Sequence, residues 1–221
     1  MPDLRFKILG VEPAARGLAP LLHFRLAVEC EEGGCMVESV LLQAQIQIQT
    51  NARPYFAQEK ERMGELFGPP AQWGRTLHPL LWAHSSTTVP RFERSVEAIL
   101  PVPCTYDLQI ASAKYLDALE GGDIPLLFLF SGTVFYSDSG GRLLVQRIPW
   151  EQECSWRMPA ALWRGLMEVH FPNSAWISMH RDLFERLCRF RRREGLASWE
   201  QVIERLLPCE SRKPEPAPLL P

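Results

Sequence analysis

The sequence predicts an α+β protein: a mainly antiparallel β-sandwich or sheet over residues 1–150, followed by a helical segment over 157–207. Three observations carry that expectation. Apolar and polar residues alternate at a spacing of two through much of 22–48, the mark of strands with one buried face. The run 124–136 is apolar on both faces, as a central strand should be. After Pro149 the apolar spacing changes to i, i+3, i+4 and i+7, which is a helix period.

The elements follow in order. Leu22, Phe24, Leu26, Val28 and Cys30 alternate with His23, Arg25, Ala27 and Glu29. Glu31, Glu32, Gly33 and Gly34 suit a hairpin loop, because glycine tolerates the positive φ of tight turns. The expected return strand puts Val40, Leu42, Ala44, Ile46 and Ile48 on one side and Gln43, Gln45, Gln47 and Gln49 on the other. Residues 55–67 read as a helix with Phe56, Met63 and Phe67 on one face, ended by Gly68, Pro69 and Pro70. Trp73, Leu77, Leu80, Leu81 and Trp82 form an apolar cluster before a polar loop, 84–88. Phe92, Val96, Ala98 and Leu100 resume strand character, and Pro101 and Pro103 place it at a sheet edge or strand end. Tyr106, Leu108 and Ile110 alternate, 111–119 favours one or two helical turns, and Gly121 and Gly122 stop them. The central strand 124–136 turns back through 138–141 into Leu143, Val145 and Arg147.

Pro159 opens a helix that aligns Trp163, Leu166, Met167 and His170. Phe171, Pro172, Asn173 and Ser174 break it. A second helix over 181–194 turns Leu183, Phe184, Leu187 and Cys188 inward, with Gly195 as its cap. Ser198 and Gln201 give a capping-box pattern for a third, burying Val202, Ile203 and Leu206. Five of the fourteen residues from Pro208 onward are proline, which reads as a disordered tail after one domain spanning 1–207.

Composition excludes whole classes. The chain has 221 residues, a formal charge of -2, 46% hydrophobic and 23% charged residues. That balance fits neither a disordered segment nor a basic nucleic-acid tail. The N-terminal apolar run breaks before a secretory h-region, and no apolar stretch approaches the ~20 residues of a membrane helix. Six cysteines without paired CxxC spacing suit reduced thiols in a cytoplasmic protein.

Candidate chemistry is sparse, and no cofactor is implied. Cys30 and Cys35 flank the first loop and could pair or supply two metal ligands, but zinc needs four; small buried hydrophobes are the plainer reading. Of His23, His78, His84, His170 and His180, only His84 stands beside hydroxyls, at Ser85 and Ser86, with no oxyanion-loop signature and no acid partner. His170 reads as a satisfied core residue. Glu31 with Glu32, and Glu151 with Glu153, read as solvated turn and strand positions. The glycine doublets lack the spacing of a phosphate cradle. Arg186, Arg189, Arg191, Arg192 and Arg193 suit a helix C-terminus. Nucleic-acid binding would call for a broader basic stripe. Trp150, Trp156, Trp163 and Trp176 fall within 27 residues, where they either seal helices onto the sheet or line a groove for a partner.

One ordered set of residues is distinctive: Tyr106, Asp107, Lys114, Tyr115, Leu116, Leu119, Pro125, Leu126, Phe130, Ser131 and Gly132, then Pro149, Trp150, Pro159, Trp163, Phe171, Pro172 and Trp176. It resembles an uncharacterised family of bacterial cytosolic proteins of about this length, encoded among accessory genes of uptake nickel–iron hydrogenases. The resemblance spans residues 1 to about 207 and transfers no catalytic residue. The order Cys154, Pro159, Phe171, Pro172 and Phe184 is also similar to that of the SecB export chaperone, from which this chain departs by a longer middle region and the helical turn at 112–120. The implied function is that of a non-enzymatic accessory or chaperone-like protein holding another polypeptide, a hydrogenase subunit or maturation factor being the implied partner. Trp73, Trp82, Trp150 and Trp176 are the expected anchors, with Arg191, Arg192 and Arg193 as a polar rim. Neither nucleic acid nor membrane is expected as a partner, while a homo-oligomer is compatible. The rival is a small hydrolase or metal-handling enzyme built on His84, Ser86, Cys30 and Cys35.

Overall fold

A computed structural model describes residues 2–14, 18–30, 36–104, 110–138, 140–174, 177 and 179–207. Its strands, in chain order, are β1 (Leu4–Pro13), β2 (Leu21–Cys30), β3 (Met36–Ile48), β4 (Leu80–Val89), β5 (Ser95–Pro103), β6 (Asp123–Ser137), β7 (Leu143–Arg147) and β8 (Glu153–Pro159). The helices are α1 (Ala57–Arg62), α2 (Gly64–Phe67), α3 (Trp73–Thr76), α4 (Ile110–Ala118), α5 (Ala160–His170), α6 (Arg181–Arg193) and α7 (Trp199–Leu206). The chain divides into two compact units, Met1–Ser174 and Ala175–Pro221. The boundary follows the Phe171–Pro172 break, so α5 belongs with the strands, whereas the sequence reading runs one domain through to 207.

In the first unit every strand pairing is antiparallel. A three-stranded sheet has the order β1-β2-β5, and a five-stranded sheet the order β4-β3-β6-β7, with β8 also paired to β6. The two sheets meet face to face through aromatic contacts. Phe6 stacks on Phe130 with centroids 4.6 Å apart, and Phe24 meets Phe128 edge-on at 5.2 Å. α4 and α5 cover one end. The Ser112 hydroxyl donates to the Leu81 carbonyl at 2.6 Å, and Trp163 Nε1 donates to Asp117 Oδ1 at 3.1 Å. The α+β class is therefore as the sequence predicts.

Several local expectations are corrected. β2 and β3 are not a hairpin: β2 pairs with β1 and β5, while β3 pairs with β4 and β6. Alternation specifies that a strand has one buried face but is silent on which strand lies beside it. The expected loop residues 31–34 lie outside the described residues. His84, Ser85, Ser86, Thr87 and Thr88 are not a loop but the body of β4, paired with β3 from Gln45↔His84 to Leu41↔Thr88. His84, Ser86 and Thr88 face outward, while Ser85 is buried with its hydroxyl donating to the Pro101 carbonyl. Over 55–67 the chain forms α1 and α2, which bury Met63 and Phe67 but leave Phe56 exposed. β1 is a strand that the reading passed over, and it buries Leu4, Phe6 and Ile8. Tyr106 and Leu108 lie outside the described residues, and Ile110 opens α4.

A buried ion pair ties α1 to the connection between α4 and β6. Arg53 Nη2 lies 3.0 Å from Glu59 Oε1, with side chains 4% and 0% exposed. The same carboxylate accepts from the backbone N–H of Phe56 at 2.9 Å and of Glu120 at 3.0 Å. Next to it Tyr55 and Tyr115 share a 2.9 Å hydroxyl–hydroxyl hydrogen bond.

In the second unit α6 and α7 form a helical hairpin. The Leu196 N–H donates to the Arg191 carbonyl at 3.0 Å and Gly195, at φ 67°, donates to Arg192, which is a Schellman ending. Ser198 Oγ accepts from the Gln201 N–H, as the capping pattern predicts. The inward residues are another correction. No residue of α6 is buried, and Val202 is the buried residue of α7, while Leu183, Phe184, Ile203 and Leu206 remain exposed. Two short helices hold too little surface to enclose both apolar stripes. The Pro-rich tail 208–221 lies outside the described residues. Among the described residues no helix is long and apolar enough to cross a membrane.

Candidate functional site

The outer face of the five-stranded sheet follows directly from the alternation in β3. Val40, Leu42, Ala44, Ile46 and Ile48 point to the core, so Leu41, Gln43, Gln45 and Gln47 point out. Neighbouring strands add His84, Ser86 and Thr88 from β4 and Ser131 and Thr133 from β6. All of these but Gln47 floor a trough with two lobes of about 740 and 390 Å³, which share Gln43, Ser86 and Ser131. Hydroxyls and amides share the lining with the apolar Leu41, Leu42 and Ile148, and Arg147 closes the trough at β7. Gly132 is the pivot of this floor. Its φ is 141°, and a Cβ there would stand 2.0 Å from the Leu41 carbonyl oxygen, so the close approach of β3 and β6 needs glycine.

β7 ends the sheet. It pairs with β6 from Thr133↔Arg147 to Ser137↔Leu143, and no strand lies on its other side among the described residues. The residues on this edge are apolar and open: Leu143 is 62%, Leu144 37% and Val145 62% exposed. Trp150, at 84%, sits in the turn between β7 and β8. Soluble proteins blunt such edges with Lys, Pro or a bulge, and 143–146 has none of these. The sequence predicts β7 as a return strand but not its open edge. The available signal was Leu143, Leu144 and Val145 in a row, with no polar residue alternating between them.

The sequence-predicted anchors are not all surface residues. Trp73 and Trp82 are core residues, 9% and 4% exposed. Trp73 Nε1 donates to the Gly68 carbonyl at 2.9 Å, and Trp82 lies edge-on to Phe24 and Trp163. Both were expected on a groove; their area seals the helices onto the sandwich instead. Trp150 is on the surface, and Trp176 lies outside the described residues. Arg191, Arg192 and Arg193 belong to the second unit, where the Arg191 guanidinium lies 4.4 Å from the Trp199 ring centroid and Arg193 pairs with Glu194 at 3.0 Å.

The residues of the rival enzyme reading are dispersed as well. His84 and Ser86 face outward into the trough, and no hydrogen bond joins them. No carboxylate lines either lobe. Cys30 faces the interior from the other sheet and Cys35 lies outside the described residues. Among the described residues no group of three His, Cys, Asp or Glu could hold a metal ion. The strongly perturbed groups sit in the core, away from the trough: burial pushes the Cys104 thiol up to about 12 and raises the phenols of Tyr55 and Tyr115.

Three solved structures show a distant likeness to the chain. A putative late embryogenesis abundant protein is 12% identical, with 72% of each chain covered and a TM-score of 0.31. The putative ApaA protein from Bordetella pertussis is 8% identical, covering 71% of this chain and 93% of that one, at 0.25. β-Glucosidase 3B from Thermotoga neapolitana, in complex with α-D-glucose, is 12% identical over 71% of this chain and 17% of its own, also at 0.25. At such scores no property of those proteins transfers to this one. No curated protein matches the chain. One family model, of a family of unknown function, matches residues 1–215.

Proposed function

The chain belongs to that family of unknown function (DUF6084), and we propose that it is a non-enzymatic accessory protein that holds an extended segment of another polypeptide along the open edge of β7. The carrying observation is the exposed apolar edge itself, Leu143, Leu144 and Val145, with Trp150 in the next turn. An edge strand offers a row of unpaired N–H and C=O groups, so a guest strand continues the ladder and gains affinity from its main chain. Alternate guest side chains lie beside Leu143 and Val145 on the trough side and beside Leu144 on the other. Trp150 adds a large apolar surface at one end, of the kind that dominates interface energetics.

Arg142 and Arg147 bracket the edge and fix where the apolar contact stops. Arg142 is paired with Asp138 at 2.8 Å, which leaves Arg147 as the cation facing the trough. Recognition through the backbone suits a protein that shields a partner before its own strands are paired, which is chaperone-like work. The sequence resemblance makes a nickel–iron hydrogenase subunit or maturation factor the first bait to try.

The test is a Leu143→Lys/Val145→Lys double variant, tagged and recovered from the native host beside the wild type. Both changes fall on exposed positions and add the charges that natural edges use against pairing. The wild type is expected to co-purify with a distinct polypeptide that the variant loses, with the melting temperature unchanged. Recovery of the same polypeptide with both, or of the wild type alone, counts against the proposal.

A further inference from the structure

The second unit carries a different surface. Leu183, Leu187 and Phe190 fall at i, i+4 and i+7 on α6, and Leu206 of α7 stands opposite them. They floor a groove of about 520 Å³, rimmed by Arg186, Arg189 and Arg193. These arginines follow i, i+3 and i+7, a second stripe beside the apolar one. α6 holds six arginines against two carboxylates, Asp182 and Glu185. Arg181 takes Glu185 at 3.2 Å and Arg193 takes Glu194, while Arg186 and Arg189 have no carboxylate partner among the described residues.

We infer that this groove is a docking site for an acidic amphipathic helix of a partner protein. An apolar stripe on the guest fills the space over Leu183, Leu187, Phe190 and Leu206, as amphipathic helices do in hydrophobic grooves. Glutamates flanking that stripe meet Arg186 and Arg189, whose fork-shaped guanidiniums bind carboxylates in bidentate fashion. The charges select the partner and its direction, and the apolar floor holds it. An anionic membrane is disfavoured because the apolar residues line a concavity between two helices, whereas a lipid surface takes a projecting apolar face. Nucleic acid would use the arginines through its phosphates but leave the apolar floor uncovered.

The hairpin is pre-organised for this. The Schellman ending at Gly195, the Ser198 cap and the Phe184–Trp199 contact at 5.2 Å fix α7 against α6 independently of the groove. The site stands on its own residues and does not rest on the edge-strand reading.

The test uses the full chain and a fluorescent helical peptide of about eighteen residues, long enough to hold helical structure, with leucines at i, i+4 and i+7 flanked by glutamates. Fluorescence anisotropy should show saturable binding that weakens with salt, and no binding to a scrambled peptide of the same composition. Arg186→Glu/Arg189→Glu should weaken binding at least about tenfold, and a lysine-flanked version of the peptide should bind that variant better than the wild type. Leu143→Lys/Val145→Lys should bind the acidic peptide as the wild type does, which separates this site from the sheet edge. Circular dichroism checks that each variant keeps its helices. No binding of the acidic peptide, equal binding by the charge-reversed variant, or binding of phosphatidylserine vesicles or a single-stranded RNA in place of the peptide each overturns the inference.

Discussion

Replacing Glu59 by Gln removes one charge from the most enclosed part of the molecule, and its cost follows from three contacts. Oε1 accepts from Arg53 Nη2 and from the Glu120 N–H, both at 3.0 Å, and Oε2 accepts from the Phe56 N–H at 2.9 Å. A glutamine amide has only one oxygen. If its nitrogen takes the Oε2 position, the Phe56 donor faces another donor; if it takes the Oε1 position, two donors lose their acceptor. Either way Arg53, 4% exposed and with Nη1 already unpartnered among the described residues, keeps a charge that nothing balances. Breaking a buried pair in this way costs about 3–5 kcal/mol. For a domain of this size each kcal/mol lowers Tm by roughly 2–4 °C, so a fall near 10 °C is expected. Scanning calorimetry of Glu59→Gln reads it. A double Arg53→Leu/Glu59→Leu variant should recover only part of the loss, because the Phe56 and Glu120 N–H groups stay unsatisfied at about 1–3 kcal/mol each. A Tm within 2 °C of wild type for Glu59→Gln, set against the roughly 10 °C expected, would refute this reasoning.

Gly132→Ala should destabilise by more than about 3 kcal/mol, since its Cβ meets the Leu41 carbonyl at 2.0 Å and its φ is unfavourable for alanine; chemical denaturation measures it. Tyr55 and Tyr115 are raised by burial above the ordinary phenol value of 10.0. Their contribution to stability is intact below pH 10 and is lost as pH climbs through their native-state values, so an ultraviolet titration should show their phenolate signal arriving with alkaline unfolding. Cys104, pushed up to about 12, should stay a thiol and resist a thiol-exchange reagent at mildly alkaline pH, while the less buried Cys154 and Cys188 react first; the reverse order would show that the interior opens there.

Much of the sandwich was legible because burial on one side imposes a period of two, which β2 and β3 show openly, and because β6 is a run apolar on both faces. Which strand lies beside which was not legible. Leu22 to Cys30 and Val40 to Ile48 have the same pattern whether they pair with each other or, as here, sit in opposite sheets. β4 was hidden for the opposite reason: His84, Ser86 and Thr88 face outward, and a run of five polar residues resembles a loop until the buried Ser85, donating to the Pro101 carbonyl at 2.5 Å, and the intermediate Thr87 are placed. Tryptophan content alone does not place a site. Trp73 and Trp82 are as large as an interface anchor, but an indole buries as readily in a core, and sequence does not distinguish the two destinations. The open edge at β7 was present as three consecutive apolar residues, whose exposure depends on what covers them. The capping of α7 by Ser198 was legible because it is local.

The central claim is that β7 is an edge on which another polypeptide pairs. Site-specific photo-crosslinking tests it most directly, with a photoreactive residue at Val145 and, as control, at Glu97 on the outer face of the other sheet. The account predicts an adduct with a second, different polypeptide from position 145 and none from position 97, reduced when Leu143→Lys is added. Equal yields at the two positions, no adduct at 145, or an adduct solely with another copy of the same chain would contradict it.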